Sequence, residues 1–369
     1  MLNFTPLEST AGGALIGLSA TTLLLGNGDI LGCSGIVSSL VLKPMEAISN
    51  PQNKWKLVFL SSFLVTSNLY HIFILEGDAS VHKVPEEGSI RVINDLAYVV
   101  GGFLVGIGTR LGNGCTSGHG ICGLARFSKR SFAAVMTFMA TGIGMASFVA
   151  DKDVFSSASN DLTWVPNEIS KQVSSSVVAL FATSAASVLA KSCVKTRPSS
   201  DTKKSTENDE RQRKIGLKKS IIGAVAGSLF SAGLALSGMI KQYKVLGFLN
   251  LSDISKWDPS LMFVMGGGLI ISFGGYQFVK GHGIFRKEKA LTCPPLLGDQ
   301  CKFNVPTNTK IDKQLILGSA MFGMGWGIAG LCPGPALFSF ATGFPKVMML
   351  WWPSNLVGTV IGEQAKKLF

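Results

Sequence analysis

Nine apolar stretches, at about 11–42, 55–75, 94–125, 131–150, 172–192, 219–250, 260–280, 313–344 and 346–365, alternate with polar segments along the chain. A helix rises about 1.5 Å per residue, so some 20 apolar residues cross the roughly 30 Å of a bilayer's hydrocarbon. Charges are scarce inside these stretches, and only helices or closed barrels satisfy their own backbone groups in lipid. The pattern predicts an all-α polytopic membrane protein with about nine transmembrane spans. Four stretches are too long and glycine-rich for plain helices. They are interrupted at Gly26-Asn27-Gly28-Asp29 with Gly32-Cys33-Ser34-Gly35, from Gly112 to Gly123, at Leu236-Ser237-Gly238, and at Gly330-Leu331-Cys332-Pro333-Gly334-Pro335. Broken or re-entrant helices are tolerated at membrane depth where the freed backbone is buried in protein or lines a cavity, so the breaks predict a pathway.

The breaks pair when the two halves are laid together. Cys33-Ser34-Gly35-Ile36 matches Leu236-Ser237-Gly238-Met239, Lys54-Trp55 matches Lys256-Trp257, and Gly108 to Cys115 matches Gly325 to Cys332 at identical spacing. This is a repeat of roughly 130 residues. Basic residues set its orientation. Ten Lys or Arg fall between Lys191 and Lys219, and others cluster at Arg126, Lys129 and Arg130 and at Lys280, Arg286, Lys287 and Lys289. With these loops inside, the first span runs inward and its partner from Lys219 runs outward, which makes the repeats inverted. Inverted repeats with paired broken helices characterise secondary transporters and channels, whose substrate site lies where the breaks meet. The expected organisation is an N-terminal membrane half over 1–195, a polar, disordered cytoplasmic linker over 196–218, and a C-terminal membrane half over 219–369. The N-terminus is expected outside, the C-terminus and linker in the cytoplasm, and the cell (plasma) membrane is the expected location.

Composition agrees with this assignment. Hydrophobic residues make up 47% and charged residues only 15% of 369, against about 25% charged in a soluble domain. The formal net charge of +12 does not indicate nucleic acid, because the basic residues sit between apolar blocks with no aromatic-interleaved basic face. The first basic residue is Lys43, so no positively charged n-region of a cleavable signal is expected. Seven cysteines, an odd number lying largely inside apolar blocks, argue against a disulfide scaffold.

Cys115 and Cys332 each follow a glycine-rich helix end and precede a short helix, and Pro333 suits the first position of one because its missing N–H is not needed there. Free backbone N–H groups and the positive end of a helix dipole then face whatever stands beside each thiol, as in an anion site. A hydroxyl-rich site would suit sulfate or phosphate; a thiol is soft, polarizable and a weak donor, better matched to another sulfur. Cys33 offers a third thiol, and Leu236 replaces it in the second half. A lone cysteine in a span is more often a small apolar filler, but three at matching breaks are harder to dismiss. Ser34, Gly35, Asn113, Gly114, Thr116, Ser117, Ser237, Gly238, Pro333 and Gly334 are the secondary pathway candidates around them. His119 could donate to an anion or be a hydrogen-bonded structural histidine, and Cys122 could face the pathway or pack. Arg110 and Asp29, ionisable groups within spans, are functional by default unless they pair with one another or sit at the interface. Gly101-Gly102 and Gly266-Gly267-Gly268 read as close helix packing. Cys193, Cys293 and Cys301 are assigned no role, and neither a metal nor a cofactor is indicated.

The run Gly112-Asn113-Gly114-Cys115-Thr116-Ser117-Gly118-His119-Gly120-Ile121-Cys122-Gly123-Leu124-Ala125-Arg126 resembles the YeeE/YedE sulfur-transport family. Gly233-Leu234-Ala235-Leu236-Ser237-Gly238-Met239, Val245-Leu246-Gly247-Phe248-Leu249, Trp257-Asp258-Pro259-Ser260-Leu261 and Gly330-Leu331-Cys332-Pro333-Gly334-Pro335-Ala336-Leu337 resemble the companion half that many bacteria encode separately. The resemblance implies uptake of thiosulfate or a related sulfur anion, handed between Cys33, Cys115 and Cys332 by weak thiol–sulfur hydrogen bonds. It also implies a lipid bilayer around the protein and leaves room for a soluble sulfur-transfer protein on the cytoplasmic side. Transport of sulfide or a selenium compound, and a membrane enzyme forming a cysteine persulfide, remain the alternatives. The enzyme reading is disfavoured because only His119 could serve as a nearby base.

Overall fold

A computed structural model describes residues 4–50, 52–75, 93–152, 155, 168–193, 203–281, 290–298 and 301–368, and no β-strand occurs among them. The chain opens with α1 (Pro6–Asn27), α2 (Cys33–Leu42), the short α3 (Pro44–Ser49) and α4 (Lys54–Tyr70), which a π-helical turn continues to Leu75. Helix α5 (Asp95–Leu111) leads into a π-helical segment over Thr116–Gly123, followed by α6 (Lys129–Lys152) and α7 (Glu168–Cys193). Then come α8 (Lys203–Leu236), α9 (Gln242–Leu249), α10 (Ser260–Lys280), α11 (Lys313–Ala329) and α12 (Pro333–Ala341). The π-helical turn Val347–Trp351 runs directly into α13 (Trp352–Ala365).

The ends of these helices follow local chemistry. The Asn94 side chain accepts the Ala97 N–H at 3.0 Å to start α5, and Asp312 accepts that of Leu315 at 2.8 Å to start α11. Proline occupies the first turn of α1, α3 and α12. Helices α1 and α11 stop at Gly28 and Gly330, both left-handed at φ near +74° and +65°, a conformation that a side chain would strain.

Six helices are long and apolar enough to cross a bilayer alone: α1, α4 with its π turn, α6, α7, the later part of α8, and α10. The pair α11 and α12, bent by 43° at the break, can count as a seventh. The expected nine is not reached by length and composition, because α5 and α13 are only 17 and 14 residues long and each adjoins a π-helical segment. The membrane assignment is supported from outside as well. Phe132, Phe148, Leu180 and Ile270 on α6, α7 and α10 point outward, a surface that lipid covers and water would not. Residues 203–218, expected as part of a linker, form the first turns of α8, with Lys214 and Glu210 paired at i, i+4. Their Lys, Glu, Gln and Arg residues are good helix formers, so polarity there does not prevent helix formation. Residues 196–202 lie outside the described ones.

Packing is close because little hydrophobic drive exists between helices in lipid, and small residues let backbones approach. Helix α1 packs on α10 as α8 packs on α4, α5 packs on α13 as α11 packs on α6, and α1 meets α8 as α5 meets α11. A Cβ on Gly13 would stand 2.1 Å from the Val264 carbonyl oxygen, and one on Gly318 would stand 2.2 Å from the Gly112 nitrogen. Serines bind the same faces: Ser67 and Ser231 hydroxyls lie 2.8 Å apart, and Ser19 donates to the Ala226 carbonyl at 2.7 Å. At one end of the bundle Arg130 on α6 donates to Asp312 at 2.7 Å. This hydrogen bond, with the Leu315 amide, holds the Asp312 carboxyl below its ordinary value.

Two outcomes follow from this packing. Gly318→Ala should lower stability in detergent by about 3 kcal/mol or more, since backbone rather than a flexible side chain blocks it. Gly144→Ala, with nothing within 4 Å, should raise it by roughly 0.5–1 kcal/mol; thermal unfolding in detergent that moved both alike would contradict the close-packing account. Because the Asp312 pKa is depressed, its contribution is fully present above the ordinary carboxyl value of 3.8 and disappears as pH falls below it. Thermal scans should therefore separate wild type from Asp312→Asn at pH 7 and bring them together in stronger acid.

Candidate functional site: a thiol-lined cavity at three helix starts

Three short helices begin beside one another inside the bundle. Cys33 is the first residue of α2, Cys115 is the N-cap of the π-helical segment, and Cys332 is the N-cap of α12. At none of these three starts does the N-cap residue's own side chain cap the helix; in α12, Pro333 and Pro335 leave Gly334 as the one N–H of the first three residues. The three thiols, all buried and free, line one narrow cavity of about 40 Å³. A cavity holds one water per roughly 10–15 Å³ on this measure, so there is room for a guest of a few heavy atoms.

Residues 116 and 117 tie the three starts together. The Ser117 hydroxyl accepts the Cys33 N–H at 3.2 Å and lies 3.3 Å from the Cys115 sulfur, and Thr116 donates to the Cys332 sulfur at 3.7 Å. The remaining walls are apolar, with Phe230, Met239, Met265 and Trp326 among them. Trp326 is buried, stacked on Phe322 with ring centroids 6.1 Å apart, and its indole N–H has no partner among the described residues. An unpaired buried donor costs about 1–3 kcal/mol.

Of the secondary candidates, Thr116, Ser117 and Gly334 line this cavity together with the three cysteines. Ser34, Gly35, Asn113, Gly114 and His119 instead line a separate vestibule of about 490 Å³ on the other side of the first turn of α2. Pro333 and Ser34 face a third, smaller space beside Trp352. His119 is fully engaged, with Nδ1 3.1 Å from the Ser131 hydroxyl and Nε2 2.9 Å from the Gly112 carbonyl, which is the structural role. Cys122 packs away from the cavity, donating to the Leu31 carbonyl at 3.5 Å. Arg110 and Asp29 do not pair with each other: Arg110 bonds Glu363 and Ser38, and Asp29 lies 3.9 Å from Lys219 and accepts from Asn304.

Ser237 and Gly238 lie at the C-terminal end of α8, the Ser237 hydroxyl bonded back to Leu234, and neither lines the cavity. Five residues separate α1 from α2 and five separate α8 from α9, so Gln242 opens α9 as Cys33 opens α2. Both ends of the Gln242 amide are engaged, accepting from Tyr98 at 2.9 Å and donating to the Ala329 carbonyl at 2.9 Å. Trp326, Met239 and Phe230 were not foreseen, because apolar residues in a membrane chain do not distinguish a cavity wall from a lipid face.

This is a helical membrane protein with a small thiol-lined cavity where three short helices begin. The profile of the family described as Sulphur transport matches residues 91–145, and that of a family of unknown function, DUF6691, matches residues 219–368. A "Probable transporter" of Xylella fastidiosa (strain Temecula1) is 44% identical over 128 residues, 35% of this chain and 78% of the relative. Another "Probable transporter" of the same strain is 41% identical over 138 residues, 37% of this chain and 90% of the relative. One from strain 9a5c is 44% identical over 128 residues, 35% of this chain and 79% of the relative. The chain belongs to the sulphur-transport (YeeE/YedE) family.

The burial pattern sets an order of thiol reactivity. In native protein, maleimide should modify the half-exposed Cys293 and Cys301 and spare Cys33, Cys115 and Cys332 until denaturant is added. Peptide mass mapping that found the three core thiols labelled first would contradict the enclosed cavity.

Proposed function

We propose that the protein carries thiosulfate or a closely related sulfur anion across the membrane, through the cavity where Cys33, Cys115 and Cys332 meet. The observation that carries this reading is the convergence of three thiols on three uncapped helix starts in one cavity. Uncapped amides and helix dipoles favour negative charge, and the unpaired Trp326 N–H adds a donor. Thiols offer soft, weak donors to the terminal sulfur without binding it so tightly that it cannot leave. Neutral thiols suit a dianion, which thiolates would repel. The exchange of helix partners, α1 on α10 for α8 on α4, supports two inverted halves over 1–195 and 219–369 joined in one chain. Counting positive charge places the N-terminus outside and the C-terminus in the cytoplasm of a plasma-membrane protein. A soluble sulfur acceptor on the cytoplasmic side would take the released ion.

Radiolabelled thiosulfate uptake in cells lacking their own importer tests this directly. The intact chain should support uptake, and Cys332→Ala or Cys115→Ala, expressed and inserted to the same level, should lower it to background. Full uptake by both variants would sink the thiol pathway. A persulfide trapped on either cysteine and seen by mass spectrometry would instead favour a sulfur-transfer enzyme.

A further inference from the structure

The second, larger chamber has chemistry of its own. It is a vestibule of about 490 Å³ whose lining includes the side chains of Lys56, Arg110, Arg126 and Arg130, with Asp29 as its carboxylate. Two of the arginines are already neutralised, Arg110 by Glu363 and Arg130 by Asp312, and Asp29 is met by Lys219. Arg126 and Lys56 have no carboxylate partner among the described residues. The Arg126 Nη1 donates to the Pro306 carbonyl at 2.6 Å, while its buried Nε has no hydrogen-bond partner among the described residues. A guanidinium recognises an oxyanion through paired N–H groups, and here part of that fork lacks an acceptor.

Position adds to the argument. The first turn of α2 and the turn before the π-helical segment form a thin partition: Cys33, Cys115, Thr116 and Ser117 face the thiol cavity, while Gly32, Ser34, Gly114 and Gly118 face the vestibule. Gly32 and Gly118 meet closely, a Cβ on Gly118 standing 4.0 Å from the Gly32 Cα. The segment 301–312 crosses the vestibule and contributes Asn304, Pro306 and Asn308 to its wall. It is held by Asn304 N–H to the Gly28 carbonyl at 2.7 Å and by the bond from Arg126.

We propose that this vestibule is a second anion site, distinct from the thiol cavity, in which Arg126 and Lys56 hold a divalent tetrahedral oxyanion such as sulfate, or thiosulfate by its oxygen end. The site reads charge and oxygen rather than sulfur, so it does not depend on the cysteines. Its affinity falls as salt rises, because both cations border a solvated chamber. It goes beyond the transport reading, which concerns the thiol cavity alone.

The test is sulfate binding by isothermal titration calorimetry to the purified full-length protein in detergent. Wild type should bind sulfate, more weakly at higher chloride. Arg126→Gln and, separately, Lys56→Gln should weaken binding by about ten- to a hundredfold, the size expected for losing hydrogen bonds to a charged group. Arg126→Lys, which keeps the charge and loses the fork, should fall between. Wild-type protein that binds no sulfate, or Gln variants at both positions that bind as wild type does, would overturn the proposal; the Lys56 variant decides the matter where the Arg126 variant fails to fold. Thiosulfate uptake lost in Cys332→Ala alongside sulfate binding indifferent to Arg126 and Lys56 would remove the vestibule site and leave the transport reading standing. Sulfate binding that needs Arg126 in a chain that transports no thiosulfate would do the reverse.

Discussion

A peptide amide released from its helix inside a bilayer has no water to bond, and most of what is distinctive here answers that constraint. The chain unwinds at residues 28–32, 112–115 and 330–332, and the three helices that restart there point their first turns into one small space. Bringing three starts together requires helix backbones nearly in contact, which explains why Gly13, Gly108 and Gly318 stand where any Cβ would strike a neighbouring backbone atom. Glycine packing, apolar walls and helix breaks are thus one arrangement, with close approach on the outside of the core making the opening at its centre.

The choice of cysteine at the caps has a reason within helix chemistry itself. Ser, Asp or Asn at an N-cap turns its oxygen back onto the amides of the first turn and satisfies them. A thiol is a poor acceptor, and neither Cys115 nor Cys332 makes such a bond. The remaining first-turn amides, Gly334 among them, therefore stay available to a guest, at some cost to the stability of each short helix. The one hydroxyl that does intervene, Ser117, bonds the Cys33 amide from another segment and so fixes the spacing of two thiols.

The positions of Cys33, Cys115 and Cys332 were legible because glycine and proline mark helix ends by backbone geometry alone, whatever surrounds them. The surroundings of the Ser-Gly pair at 237–238 were not: it follows the end of α8, with Gly238 left-handed at φ +70°, and the next helix starts at Gln242. Over 203–218 the polar composition does not announce a helix, yet residues of good helix propensity form the first turns of α8 there. Arg110 and Asp29 were flagged as isolated charges, but their partners Glu363 and Lys219 are distant in sequence and only folding reveals them. Trp326 carries no sequence signal at all, since its unpaired N–H is a property of its neighbours.

The central cavity draws Cys33 and Cys115 from before residue 194 and Cys332 from well after it. Neither stretch owns the cavity, and a chain cut between them would hold two or one of the thiols and only part of the wall. Were the same stretches made as separate polypeptides, the chamber would exist only while they stayed associated, and diluting them in the bilayer would empty the population of complete sites. Joined in one chain, their meeting becomes an intramolecular event set by tether length. Completeness of the site then no longer depends on how much of the protein the membrane contains.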